Sequence, residues 1–286
     1  MLTGFRIGIA SGIGPWAVKV EQQSLSVAEL LLRGATMTGD RGIGTGVRLP
    51  DFLGIGTQKG GTTYLHGLLQ QHPQVFLAHP KELHYFSLHH QRGLDWYGRH
   101  FEAAAPDQCC GEVTPYYLFH PLAAKRIAAA LPDVKLIVLL RDPVERALSQ
   151  YFHSKRLGLE PLDLEEALEA EPKRLADAEA VLKRGQAHKS HQQHSYLSRS
   201  RYELQLPRFE ALFPSEQLQV LRSEDLFERP QQFWATVLAF LGLDEFPLPA
   251  SGTHYAGRGE AVSVSPGLRQ QLQVQLELTY RWLEKR

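Results

Sequence analysis

The chain has little that would place it in a membrane, in a nucleic-acid complex or among disulfide-rich secreted proteins. No apolar run reaches the ~20 residues that a transmembrane helix needs. Its 31 basic and 31 acidic residues cancel, which argues against a general nucleic-acid coat or a polybasic membrane anchor. Its two cysteines, Cys109 and Cys110, are too few for a disulfide framework and lack metal-ligand spacing. We therefore expect a cytoplasmic protein without an integral membrane segment or a nucleic-acid partner.

The first part of the chain also lacks a sustained apolar period. Residues 1–50 are rich in glycine and predict a poorly ordered leader. The pattern sharpens at Phe52, and the composition of the whole chain, 43% hydrophobic and 22% charged, is typical of a globular protein. We expect one domain over residues 51–286.

From Phe52 onward, apolar segments typical of strands alternate with helical patterns. The strand candidates are residues 52–56, 75–78, 110–114, 135–140 and 217–221. The helical patterns are residues 62–71, 122–130, 143 to beyond 151, 231–241, and one amphipathic helix after Ser265-Pro266. Strands separated by helices predict an α/β protein with a central parallel sheet of four to five strands flanked by helices.

Of three further sets of residues, two allow more than one interpretation. The polar residues 185–200 form either a plain surface loop or a lid over the substrate. The charged residues 165–184 predict a solvated helical region that is interrupted at Pro172. One aromatic set either lines an acceptor pocket or belongs to the core, and we favour the core for most of its members: Trp96, Tyr97, Tyr116, Tyr117 and Phe119.

A glycine-rich turn follows the first predicted strand and precedes a helix. Gly60 and Gly61 expose backbone N–H groups beside the positive end of that helix, which makes a cradle for a phosphate. Lys59 adds a positive charge, and the hydroxyls of Thr62 and Thr63 can donate further hydrogen bonds. A tight turn without function is the alternative, and this set of residue types argues against it.

The order of these residues differs from that of a nucleotide triphosphatase loop. Such a loop places its lysine after the last glycine, whereas Lys59 precedes Gly60 and Gly61 here. The strand over residues 135–140 runs into Arg141, where a magnesium-binding acid would be expected. The turn therefore predicts a phosphate-ester site that uses no metal, rather than a site for a magnesium-bound triphosphate.

Arg141 and Ser149 define a second candidate anion site. Arg141 ends a predicted central strand, and ligands bind at the carboxyl ends of strands in α/β sheets. Ser149 lies about two helical turns further on, so it can face the same side as the start of the helix. The alternative is an arginine that pairs with Asp142. With the glycine turn, this motif predicts a ligand with two separate phosphate-type groups.

These motifs together resemble those of the sulfotransferases that use 3′-phosphoadenosine-5′-phosphosulfate (PAPS). The Lys59–Thr63 turn resembles the family's 5′-phosphosulfate loop, and residues 136–149 resemble its 3′-phosphate motif. Three further stretches support the resemblance to heparan-sulfate-type and related bacterial sulfotransferases: Pro80–Phe86, Gly111–Tyr117 and Leu221–Leu226. The resemblance runs from about Asp51 to the end of the chain, and it implies a P-loop-like three-layer fold.

The resemblance also implies a role for each matching position in binding the donor. Lys59 would contact the 5′-phosphosulfate, and the backbone of Gly60, Gly61, Thr62 and Thr63 would hold the 5′-phosphate. Arg141 and Ser149 would bind the 3′-phosphate. Gly257 and Arg258 would close over the nucleotide, although Ala256 replaces the lysine that usually precedes them.

For catalysis, the resemblance implies that Glu82 takes the proton from the acceptor, with His84 as its neighbour or substitute. The alternatives are that Glu82 is a surface acid paired with Lys81 and that His84 only packs. The expected reaction moves a sulfuryl group from PAPS to a hydroxyl or amine of a small molecule, lipid, polyketide or carbohydrate, and releases 3′,5′-ADP. A nucleotide kinase and an inactive nucleotide-binding module are the competing hypotheses.

Overall fold

The computed structural model describes residues 47–250 and 264–286, which contain a five-stranded parallel sheet. Residues 1–46, which make up most of the predicted leader at residues 1–50, lie outside these ranges. The sheet has the order β2-β3-β1-β4-β5, and every neighbouring pair is parallel. The strands are β1 (Phe52–Gly56), β2 (Val75–Leu77), β3 (Cys109–Val113), β4 (Lys135–Leu140) and β5 (Leu218–Arg222). The predicted α/β fold with four to five parallel strands is confirmed.

Helices lie between successive strands in the chain, and four more come after β5 in the described part of the chain. Their bounds are α1 (Thr62–Leu69), α2 (Leu94–Gly98), α3 (Tyr116–Phe119), α4 (Ala123–Ala130), α5 (Pro143–Arg156), α6 (Leu164–Leu175), α7 (Ala178–Lys183), α8 (Lys189–Gln193), α9 (Pro207–Glu210), α10 (Asp225–Glu228), α11 (Pro230–Leu241), α12 (Pro266–Gln275) and α13 (Glu277–Leu283). No described helix is long and apolar enough to cross a membrane.

Strand β4, which lies between β1 and β5, explains the three layers. Leu136 and Val138 face one apolar cluster, which includes residues of α4 and α9. Ile137 and Leu139 face a second cluster, which is built mainly with α1 and α11. Because successive strand side chains point to opposite faces, a continuous apolar run such as β4 requires helices on both sides.

A third apolar cluster lies along α5 and holds the later helices against it. Val144, Leu148 and Tyr151 of α5 pack in one cluster with Ala167 of α6 and Leu272 of α12. The cluster fixes α5, which starts directly after the carboxyl end of β4.

The predicted single C-terminal helix is wrong, because the structure has two helices that meet at Leu276. The chain leaves helical geometry there, with φ −106° and ψ 14°, while the Leu276 side chain stays fully buried. Beyond the break, Thr279 Oγ1 donates to Glu203 over 2.7 Å and Tyr280 donates from its hydroxyl to Asp142 over 2.8 Å. A four-residue apolar repeat does not encode these long-range contacts.

The predicted interruption at Pro172 is also wrong, because α6 runs through it to Leu175. A proline removes one backbone hydrogen bond, and packing on either side compensates for the loss. Glu171, only 2% exposed, accepts hydrogen bonds from the backbone N–H groups of Leu197 and Ser198, each over 2.8 Å. This part of α6 is therefore not a solvated face.

Residues 185–200 are not a plain surface loop. They contain α8, and several of their side chains are buried: His191, His194, Tyr196 and Arg199. Arg199 extends from this segment to Gln58, the residue before Lys59. The segment thus contributes directly to the neighbourhood of the glycine turn.

Candidate active site

The glycine turn between β1 and α1 is held by hydrogen bonds within the turn, to β4 and to the residue that follows β5. Thr57 donates from its N–H to the carbonyl of Leu139 in β4 over 2.9 Å, and Gly60 donates to the carbonyl of Thr57 over 2.9 Å. Ser223, which follows β5, donates from its hydroxyl to the Gly60 carbonyl over 2.7 Å. The turn therefore has one fixed shape at the carboxyl end of the sheet.

Both glycines of the turn are required by its geometry. A Cβ atom at Gly60 would lie 2.7 Å from the Leu139 carbonyl oxygen, which leaves no room for a side chain. Gly61 has φ +93° and begins α1 without providing a side-chain cap. The first backbone N–H groups of a helix have no acceptor within the helix, so those of Thr62 and Thr63 are suited to bind an anion.

Arg141 extends from the end of β4 to this turn. Its Nη1 atom donates to the carbonyl of Lys59 over 3.1 Å, so the two predicted phosphate motifs are in contact. Asp142 instead caps α5, accepting a hydrogen bond from the N–H of Glu145 over 2.8 Å. The Asp142 N–H donates to Glu224 over 3.0 Å. The alternative in which Arg141 pairs with Asp142 is therefore not the arrangement found.

Two polar residues on one face of α5 extend the candidate site beyond Arg141. Ser149 is half-buried, and His153 lies one helical turn further on the same face. Burial lowers the pKa of His153, the charges of Lys59 and Arg156 lower it further, and the carboxylate of Glu82 raises it. His153 therefore lies within electrostatic range of both the glycine turn and the predicted base.

Glu82 is ionised and closely surrounded by basic groups. Its Oε1 atom is 2.5 Å from Lys81 Nζ, and its Oε2 atom is 3.6 Å from His84 Nε2. Burial raises the pKa of Glu82, but the nearby His84 ring and the charge of Lys81 lower it to about 2. The pairing with Lys81 that the sequence allowed is present, and 35% of the Glu82 side chain remains exposed.

Arg199 and Arg146 form a basic centre that sequence reasoning missed. Both are at most 1% exposed, and both reach Gln58: Arg199 Nη1 donates to its side-chain oxygen and Arg146 Nη1 donates to its carbonyl over 3.5 Å. In the described part of the chain no carboxylate forms a salt bridge with either group. Burial lowers the pKa of Arg199 to about 9 and that of Arg146 to about 10, so both remain charged at pH 7.

Tyr116 links this basic centre to the turn that carries Glu82. Its ring lies 5.9 Å from the His84 ring, edge to face, and the Arg199 guanidinium lies 5.2 Å from the centre of the Tyr116 ring. Its hydroxyl is 2.7 Å from Nδ1 of His191. Tyr97, Tyr116 and Tyr117 are all buried, as preferred from the sequence, and Trp96 and Phe119 are partly buried.

Two of the predicted binding residues are not placed by the structure. Gly257 and Arg258 lie outside the described ranges, so their role stays a prediction. Within the described ranges, no group of three histidine, cysteine, aspartate or glutamate side chains is arranged to hold a metal ion.

A parallel α/β sheet with a glycine turn at its carboxyl end is typical of the P-loop-like fold class. The family model described as "Sulfotransferase domain" matches residues 49–248. The chain therefore belongs to the sulfotransferase family, as the resemblance implied.

Curated relatives match parts of the chain. It is 30% identical to human bifunctional heparan sulfate N-deacetylase/N-sulfotransferase 2 over 70% of its own length and 22% of that protein's. It is 47% identical to the membrane-associated sulfotransferase kil1 of Dictyostelium discoideum over 37% of its length and 23% of that protein's. The chain thus spans about a quarter of the length of these two relatives.

A solved structure is similar over most of the chain. A sulfotransferase from Alicyclobacillus acidocaldarius is 28% identical and has a TM-score of 0.65, with 81% of this chain and 92% of that chain covered. This similarity supports the P-loop-like fold over the matched part of the chain.

Proposed function

We propose that this sulfotransferase uses PAPS as its donor and transfers the sulfuryl group in line to an acceptor hydroxyl or amine. The observation that carries the proposal is the contact between Arg141 and the carbonyl of Lys59. It joins two cationic motifs at the carboxyl end of the sheet, a suitable place for one ligand with two phosphate groups.

The charges around the turn fit such a donor. Arg146 and Arg199 are buried cations beside Gln58, and in the described part of the chain they donate their hydrogen bonds to neutral oxygens. A buried charge without an opposite charge is costly, so an anion bound at the turn would stabilise both. PAPS supplies that charge from its phosphosulfate group, with the N–H groups of Thr62 and Thr63 as further donors.

In the proposed reaction the acceptor oxygen or nitrogen attacks the sulfur atom, and the bond from sulfur to the 5′-phosphate oxygen breaks. Glu82 accepts the proton that the acceptor loses. Lys59 stabilises the negative charge that develops on the departing phosphate oxygen, and 3′,5′-ADP leaves. Positioning and charge stabilisation are the main requirements of such a transfer, and a general base contributes about 10²–10⁴-fold.

We propose a carbohydrate as the first acceptor class to test, because relatives are named for heparan sulfate. A small molecule, a lipid and a polyketide are the other classes that the sequence left open. The cytoplasmic location inferred from the sparse cysteines also stays a prediction.

The test is transfer of labelled sulfate from PAPS to a panel of these acceptors. Lys59→Ala and Glu82→Ala should each lose most of the turnover, by about 10²-fold or more for Glu82. Glu179→Ala is the matched control, because Glu179 is an exposed acid on α7 that pairs with Lys183. A near-native rate in either site variant rejects the role proposed for that residue.

The donor is tested separately by thermal shift. The melting temperature should rise with 3′,5′-ADP and change little with ATP plus magnesium. A larger rise with ATP plus magnesium would favour a nucleotide kinase and contradict the proposal.

A further inference from the structure

Glu112 is a buried acid in the centre of the domain. It lies on β3 opposite Leu53 of β1, and it is 2% exposed. Its Oε1 atom accepts hydrogen bonds from the hydroxyls of Tyr97 and Tyr117, each over 2.7 Å. Burial raises the pKa of Glu112, and the hydrogen bonds from the two tyrosines act against that rise.

The other carboxylate oxygen of Glu112 contacts the turn that carries the proposed base. Oε2 accepts a hydrogen bond from the Thr114 hydroxyl over 2.8 Å and one from the backbone N–H of Leu83 over 3.3 Å. Leu83 is the residue between Glu82 and His84. All four groups around Glu112 can donate, which matches the ionised form of the side chain.

The turn has an unusual backbone on both sides of Leu83. Glu82 has φ 65° and His84 has φ 54°, a left-handed conformation that residues other than glycine seldom adopt. Such conformations persist only where the surrounding structure holds them in place. The Leu83 side chain is packed in the core at 4% exposure, and its N–H is bound by Glu112.

We propose that Glu112 is a positioning residue that holds the left-handed Glu82–His84 turn and so aims the Glu82 carboxylate at the acceptor. The inference rests on the role proposed for Glu82. Glu112 does not touch the reacting atoms; it acts through the N–H of Leu83. If Glu112 only stabilised the core, its hydrogen bonds with the two tyrosines would be sufficient. The conformation of the Glu82–His84 turn would then not depend on it.

The test compares Glu112→Gln with Tyr97→Phe. The amide offers one acceptor oxygen where the carboxylate offers two, so the four donors are no longer all satisfied. Tyr97→Phe removes one hydrogen bond to Glu112 and leaves the bond to Leu83 in place. Both variants disturb the same buried network, but only Glu112→Gln changes the group that accepts from the N–H of Leu83.

We expect Glu112→Gln to lower kcat at least tenfold, with the Kd for 3′,5′-ADP within about twofold of the wild type. Hydrogen–deuterium exchange over residues 81–86 should become faster. Tyr97→Phe should keep kcat within about threefold at a comparable loss of thermal stability.

An unchanged kcat in Glu112→Gln would overturn the inference. An equal loss of kcat in Tyr97→Phe would also overturn it, because the effect would then be structural. A wild-type protein that transfers no sulfate from PAPS would instead reject the proposed function, which keeps the two failures distinguishable.

Discussion

Removing one partner of the buried ion pair between Glu160 and Arg174 should lower the stability of the protein strongly. The Glu160 side chain is fully buried, and its two oxygens accept hydrogen bonds from Arg174 over 2.5 and 3.0 Å. Tyr196 donates from its hydroxyl to Glu160 over 2.7 Å, and Leu162 donates from its N–H over 2.9 Å. Arg174→Ala would remove the opposite charge and leave the carboxylate buried.

Removing one partner of a buried ion pair costs ~3–5 kcal/mol. Tyr196 and Leu162 still donate to Glu160 in the variant, so we expect Arg174→Ala to lower the free energy of unfolding by about 2–3 kcal/mol. Urea denaturation at pH 7, followed by circular dichroism, measures this change.

Lys183→Ala is the matched control. Lys183 and Glu179 are 2.6 Å apart, close to the separation in the buried pair, but their side chains are 61% and 73% exposed. We expect no measurable change, because solvent and salt screen such a pair. If both substitutions lowered the free energy of unfolding equally, the reasoning would be refuted, because it attributes the difference to burial and not to the distance between the charges.

The effect of Arg174→Ala on stability should also depend on pH. Burial raises the pKa of Glu160, but the hydrogen bonds from Arg174 and Tyr196 lower it from 4.5 to about 2. A carboxyl group whose pKa is lower in the folded than in the unfolded protein stabilises the fold at pH values above its unfolded pKa. That stabilisation is lost as the pH falls towards 2. The difference in stability between wild type and Arg174→Ala should therefore narrow from pH 5 to pH 3. A constant difference would contradict the assignment to Glu160.

Two further predictions concern the proposed site. Lys81→Ala should move the acidic limb of the rate–pH profile upward by about one unit, because Lys81 lowers the pKa of Glu82; an unmoved limb would contradict this. Gly60→Ala should weaken 3′,5′-ADP binding at least tenfold, measured by calorimetry, since the new Cβ meets the Leu139 carbonyl at 2.7 Å. Gly267→Ala, whose Cβ meets nothing within 4 Å, should bind normally.

The sheet could be predicted from the sequence because its signals are local. Residues 52–56 and 135–140 form β1 and β4 with the predicted bounds. Each is an apolar run short enough for a strand, and the first ends at a glycine-rich turn. Pro143 begins α5 as predicted, because its fixed φ suits the first position of a helix.

The contacts that complete the site could not be predicted in the same way. Arg199 contacts Gln58, which is 141 positions away in the chain, and no periodicity or spacing in the sequence predicts such a contact. Glu112 stood within a recognised motif, but its bond to Leu83 depends on how β3 sits beside the turn. The sequence did carry one signal for Glu112, a charged residue inside a strand that is otherwise apolar.

The central claim is that the turn at Lys59 and the side chain of Arg141 hold the two phosphate groups of one adenosine nucleotide. Calorimetry with 3′,5′-ADP and 5′-AMP, on wild type and Arg141→Ala, tests it directly. The account predicts that wild type binds 3′,5′-ADP at least tenfold more tightly than 5′-AMP, and that Arg141→Ala abolishes most of this difference. Equal affinities in the wild type, or a difference that survives in Arg141→Ala, would contradict it.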